Sequence, residues 1–115
     1  MYLSEDIARQ IINLNPNPDL DIIDVDVAER QFQVILKGFN HLIDPKNKFL
    51  YIADEVGLGK TYVAIGIASL LRYFSEHPGS YNDVIIVPKQ NLQYKWQKEI
   101  NNFIQRNYLI KSSRF

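Results

Sequence analysis

The chain has no cysteine, which excludes a disulfide framework and any thiolate metal site and suits a reducing compartment. Five glycines and five prolines in 115 residues exclude collagen-like and low-complexity classes. No apolar run approaches the ~20 residues needed to cross a bilayer. Residues 1–10 carry Glu5 and Asp6 and lack the apolar core of a secretory signal. The expectation is an intracellular protein, cytoplasmic or, in a eukaryote, nuclear, with no membrane partner. Nor is there an excess of charge of one sign, since 13 Lys and Arg balance 13 Asp and Glu. That balance hides an asymmetry. Glu5, Asp6, Asp19, Asp21, Asp24, Asp26 and Glu29 crowd the first 30 residues, whereas Lys89, Lys95, Lys98, Arg106, Lys111 and Arg114 face only Glu99 after residue 88. Such a basic end suits a polyanion, and equally an ordinary solvated surface. The length allows one modest core.

What is present alternates between helical and strand-like patterns. Ser4 is placed to cap a short helix with Ile7, Ile11 and Leu14 on one face, ended by Asn15-Pro16-Asn17-Pro18. A second helix is expected from about Asp26, where Asp26 and Glu29 have capping-box spacing, with Val27, Ile35, Phe39 and Leu42 as its apolar face and Asp44-Pro45 as its end. Residues 49–53 and 84–87 are continuous apolar runs, the pattern of strands buried on both faces of a parallel sheet. Between them, residues 60–74 read as a helix whose Ala64, Gly66 and Ala68 permit close packing. A last helix is expected over 91–105, with Leu92, Trp96, Ile100 and Phe103 inward and Lys95, Lys98 and Asn102 outward. Tyr108-Leu109-Ile110 is a candidate third strand. Strand, loop, helix, strand is a right-handed βαβ unit, so the fold class is α/β. The expected organisation is an N-terminal helix and acidic linker over 1–25, then one lobe over 26–115.

The chemistry concentrates in Asp54-Glu55-Val56-Gly57-Leu58-Gly59-Lys60-Thr61. This stretch lies between an apolar run and a helix, where a phosphate-binding loop belongs. Gly57 and Gly59 allow the backbone close to phosphate oxygens, Leu58 between them contributes its N–H, and the helix adds unpaired N–H donors and its positive dipole end. Lys60 supplies a cation for the β- and γ-phosphates, and Thr61 a hydroxyl for Mg²⁺. The general pattern G-x-x-x-x-G-K-[ST] has glycine where Asp54 stands. Asp54 and Glu55 imitate an acidic Mg²⁺-holding strand end, but the lysine-bearing loop follows at once, so both read as loop residues directed away from the phosphates.

The segment Ala53 to Thr61 resembles motif I of the Swi/Snf-related branch of the superfamily 2 helicases, where an Asp-Glu pair commonly replaces the first glycine. Val84-Ile85-Ile86-Val87-Pro88 followed by Leu92, Trp96 and Glu99 is similar to that family's motif Ia region. Arg30-Gln31-Phe32-Gln33 resembles its Arg-Pro-Tyr-Gln segment, with Gln31 in place of proline and the following glycine displaced to Gly38. The resemblance covers roughly residues 30–100. It implies a P-loop NTPase of RecA-like fold, a parallel sheet flanked by helices. It also implies ATP and Mg²⁺ as ligands, Gln33 as the adenine-reading residue and duplex DNA as the track. A second RecA-like lobe with arginine fingers would be needed for turnover. No further Asp-Glu strand end follows Thr61, so the expectation is an incomplete lobe that binds ATP without hydrolysing it alone. Two other readings stay open: a P-loop ATPase or kinase without a nucleic-acid substrate, and a non-catalytic nucleotide-binding remnant. Among basic residues Lys89 is the DNA candidate, because ligands of open α/β sheets gather at strand C-termini. Trp96 reads as core by its phase. His41 and His77, isolated from acids and from each other, carry no expected chemistry, and the tyrosines are scattered packing residues.

Overall fold

A computed structural model describes residues 2–16, 24–52, 60–75, 84–86 and 89–110. Four helices follow one another: α1 (Glu5–Ile11), α2 (Val25–Ile43), α3 (Lys60–Tyr73) and α4 (Gln90–Arg106). Each has a local cause. Ser4 Oγ accepts from the Ile7 N–H at 3.4 Å to cap α1, whose first turn carries Glu5 and Asp6 and whose last turn carries Arg9, both complementing the dipole. Helix α2 is capped by Asp24, which accepts from the Asp26 N–H at 2.8 Å. It therefore starts before the expected position, and Asp26 is a first-turn residue rather than the cap. Glu29, released from a capping box, pairs elsewhere. The end at Asp44 is as expected.

Helix α3 is buried on more than one side, through Val63, Ile65, Gly66, Ile67, Ser69 and Leu70, because α2 packs on one flank and α4 on another. The α2–α3 contact depends on glycine. A Cβ at Gly66 would stand 2.9 Å from Ile35 Cγ1, and one at Gly38 would stand 2.7 Å from Ile67 Cδ1. Each helix thus receives an isoleucine of the other where it has no side chain of its own. Aromatic contacts continue the core: Phe39 meets Phe74 at 5.5 Å, and Tyr62 meets the buried Phe103 edge-on at 5.8 Å. Trp96 is half-buried against this core, as its phase predicted.

The N-terminal segment belongs to the same core. Leu3, Ala8, Ile11, Ile12 and Leu14 are all buried, while Ile7, expected on the inner face of α1, is 50% exposed. In so short a helix the inward stripe is set by the small Ala8 and by Ile11, which lets α1 approach closely and turns Ile7 out. After α1 the chain forms an isolated antiparallel bridge, Ile12 to Tyr108.

Among the described residues there is no strand, so the expected parallel sheet is not among them. Residues 49–52 and 84–86 lack a ladder, and their side chains alternate. Leu50 and Ile52 pack partly against the core, whereas Phe49 and Tyr51 are 75% and 81% exposed. Val84 and Ile86 are exposed, with Ile85 less so. This is the period-2 habit of a strand with one face on helices and the other bare, not the double burial expected from the composition. Residue 53 of the first run and residue 87 of the second lie outside the described residues, as does His77.

Candidate nucleotide site

Lys60 and Thr61 open α3. Lys60 is exposed and Thr61 half-buried. The first turn of α3 holds no acid of its own, unlike those of α1 and α2, so its free N–H groups and positive dipole end have no carboxylate from within the helix. A lysine at that end is unfavourable unless an anion is close. Gly57, Leu58 and Gly59, with Asp54 and Glu55, lie outside the described residues. Helix α4 repeats the motif: Lys89 occupies its N-cap without a side-chain capping bond, and its first turn is free of acids. Lys89, Lys95 and Lys98 are exposed, while Lys111 and Arg114 lie outside the described residues.

Two grooves open on the surface, of which the first borders α3. One of about 350 Å³ is lined by Ala64, Ala68, Val84, Ile85, Trp96 and Ile100, among others. It is largely apolar and places Trp96 against the 84–86 segment. The other, about 280 Å³, lies between α2 and the 50–52 segment. Tyr62, beside Thr61, has its phenol pKa raised, first by burial and then by the neighbouring Glu99 carboxylate of α4. Glu99 thus faces the first turn of α3. His41 Nε2 donates to the Phe49 carbonyl at 3.2 Å, and Asn47 donates to the His41 carbonyl at 2.9 Å. These bonds tie His41 to the 47–49 segment that follows α2.

Gln33 lies on α2, half-buried, and its Nε2 donates to Glu29 Oε1 at 3.1 Å. The same oxygen accepts from Arg9 Nη2 at 2.6 Å, and Arg9 also pairs with Glu5 and covers the Phe32 ring at 4.1 Å. Hydrogen bonds from Arg9 and then Gln33 hold the Glu29 carboxyl below the usual carboxylate range. Glu29 as the partner of Gln33, and Arg9 as the partner of Glu29, were missed. The Glu29–Gln33 spacing of i, i+4 was legible, but the link to Arg9 spans 20 residues and was not. Among the described residues no group of three or more His, Asp and Glu could hold a metal ion, and no helix is long and apolar enough to cross a membrane. For Mg²⁺ this is no obstacle, because that ion takes few protein ligands and relies on phosphates and water.

The family described as "Type III restriction enzyme, res subunit" matches residues 24–114. The chain is similar to the chromatin-remodeling ATPase INO80 of Sclerotinia sclerotiorum, 32% identical over 91 residues, or 76% of this chain and 5% of the relative. It is 41% identical over 76 residues to the ISWI chromatin-remodeling complex ATPase ISW1 of Saccharomyces cerevisiae, covering 64% of this chain and 6% of the relative. No solved structure matches it. The chain therefore spans about a twentieth of the length of the curated relatives it matches.

Proposed function

The chain belongs to the family described as Type III restriction enzyme, res subunit, a family of P-loop helicase domains with Swi/Snf-related ATPases among this chain's relatives, and on that premise we propose that it is the ATP-binding opening part of a DNA-dependent ATPase. The observation that carries the reading is local. A lysine and a threonine open a 14-residue helix with no acid in its first turn, directly after Gly57-Leu58-Gly59 in the sequence. A helix start so charged is an anion site in waiting, and the glycines before it allow the backbone to approach. In this reading Gly57, Leu58 and Gly59 give N–H groups to the phosphates and Lys60 neutralises the β- and γ-oxygens. Thr61 holds Mg²⁺, which supplies charge stabilisation across the phosphates when bound. Gln33 reads the adenine edge. Residues 49–52 and 84–86 are strands of a parallel sheet whose bare faces await further layers, and Lys89 meets the phosphates of duplex DNA. Turnover requires a facing lobe.

Titration with a fluorescent ATP analogue tests the reading. Binding is expected to be weak and Mg²⁺-dependent, and Lys60→Ala should remove most of it by deleting the cation that charge-assists the phosphate contacts. Equal affinity of both proteins would mean that the loop is not the site.

A further inference from the structure

We infer that Glu29 is a positioning residue that holds the Gln33 amide in the orientation that accepts adenine and rejects guanine. The inference rests on the proposed reading of Gln33 as the base-recognition residue and adds a cause for its selectivity. A glutamine amide presents two faces, an acceptor oxygen and a donor nitrogen, and a free side chain interconverts them by rotation. At its Hoogsteen edge adenine offers the N6 amino donor and the N7 acceptor, which a glutamine meets with Oε1 and Nε2 together. Guanine offers O6 and N7, both acceptors, so the same orientation sets Oε1 against O6.

The structure holds the choice on one side. Glu29 Oε1 stands 3.1 Å from Gln33 Nε2, and Arg9 Nη2 stands 2.6 Å from the same oxygen. A carboxylate bound to a guanidinium has no proton to donate, so only the NH₂ of Gln33 can face it. One Nε2 hydrogen is thereby engaged, the second remains for N7, and Oε1 is left as the acceptor for N6. Rotating the amide would place Oε1 against a carboxylate. The contact is local, one helical turn along α2, and α1 braces it through Arg9, which also bonds Glu5 and covers Phe32. Glu29 touches no nucleotide in this arrangement and acts only through Gln33.

The test uses the 115-residue chain with fluorescent ATP and GTP analogues, reading the ratio of the two affinities. Glu29→Gln replaces the acceptor-only group by an amide that can itself rotate. The ATP-to-GTP preference should fall by about fivefold, the worth of one ordinary hydrogen bond. Binding of inorganic tripolyphosphate, which has no base, should not change. Arg9→Ala breaks the ion pair but leaves the Glu29 carboxylate facing Gln33, so it should lower thermal stability and keep the preference. A merely structural role would make the preference of both variants fall in step with stability, and that outcome overturns the inference. So does an unchanged preference in Glu29→Gln while Gln33→Ala abolishes it, a result that leaves the nucleotide site intact. Lys60-independent binding, or no preference for ATP in the unaltered chain, overturns the underlying reading and this inference with it.

Discussion

Gly66→Ala separates close helix packing from simple helix propensity, and Gly38→Ala is its control. Both glycines sit inside helices, where alanine is favoured by about 1 kcal/mol on propensity alone. Their surroundings differ. The Cβ at Gly66 would meet three atoms of one residue, Ile35, including Cγ1 at 2.9 Å and Cγ2 at 3.3 Å. Ile35 is fully buried and branched at Cβ, so within a helix it has one strongly preferred rotamer and cannot turn aside. The helices must part instead, at an overpacking cost of about 2–3 kcal/mol, which exceeds the propensity gain and leaves a net loss of about 1–2 kcal/mol. At Gly38 the two closest contacts are side-chain ends, Ile67 Cδ1 at 2.7 Å and Leu50 Cδ2 at 2.9 Å, with Ile67 Cγ1 farther off at 3.4 Å. Leu50 is half-buried and can yield, and rotation of the Ile67 terminal methyl moves Cδ1 away, so the two terms nearly cancel. Urea unfolding followed by far-UV ellipticity reads the difference. With a slope of about 1.5 kcal/mol per molar, Gly66→Ala should lower the midpoint by roughly 1 M and Gly38→Ala by less than about 0.3 M. Ile35→Val removes Cδ1, the atom nearest the new methyl, and should recover part of the loss when combined with Gly66→Ala. A Gly66→Ala protein as stable as Gly38→Ala would refute the interlocking of α2 and α3 described above.

Lys89→Ala should weaken duplex DNA binding at every sequence and reduce the slope of log affinity against log salt by about 0.9, the share of one phosphate contact. Binding insensitive to salt between ~50 and ~200 mM would argue against a phosphate-tracking surface. On the proposed reading, steady-state phosphate release by the 115-residue chain should stay at the level of a Lys60→Ala control with or without DNA, because the arginine finger, which contributes about 10³–10⁵ in rate in related systems, would come from a facing lobe. DNA-stimulated, Lys60-dependent release would show the missing groups arriving in trans. Glu29 has a folded pKa below its ordinary value of 4.5, so the stability it contributes is present above that value and is lost as pH falls through the depressed one. Thermal melts should find the unaltered chain slightly more stable than Glu29→Gln at pH 6, with the gap closing toward about pH 3. The gap should be small, because the pair is exposed. A gap independent of pH would mean that the carboxylate is not involved.

The helices were legible because their apolar residues recur at helical spacing, and α3 and α4 begin and end within one residue of expectation. The close approach of α3 was signalled by Gly66, although its partner Ile35 could not be named. The sheet was read from runs such as Phe49-Leu50-Tyr51-Ile52, whose composition does not say which side chains find a covering layer. The described residues cover only the face of Leu50 and Ile52. Tyr108, expected to start a third strand, pairs with Ile12 in a single antiparallel bridge. No local pattern could announce a partner 96 positions away. The site was legible to the extent that it is local. Lys60 and Thr61 are the first described residues of α3, with the glycines before them outside the described residues, and Glu29 missed its expected role because Asp24 took the capping position first.

The N-terminal segment bears on α3 although it does not precede it in space by design of any single contact. Leu3 exchanges two hydrogen bonds with the Asn40 side chain, which accepts from the Leu3 N–H at 2.8 Å and donates to the Leu3 carbonyl at 3.1 Å. Asn107 does the same for Asn13, accepting through its backbone carbonyl and donating through its side chain, both at 2.8 Å. Two asparagines therefore play the part of a neighbouring strand for residues 3 and 13, one at each end of α1. The first ties the segment to α2 and the second to the end of α4. Helices α2 and α4 are the two flanks of α3, so a segment fastened to both resists their separation, and Leu3, Ala8, Ile11 and Ile12 fill the space between the fastenings. Each bond contributes only about 1 kcal/mol, but the buried Asn107 and the half-buried Asn40 would be left unpaired if the segment lifted, and stranding buried polar groups costs more than making the bonds returns. The helix that opens with Lys60 and Thr61 is thus held from both sides, and at the α4 fastening its Tyr62 packs edge-on against Phe103, whose carbonyl accepts from the Asn107 N–H.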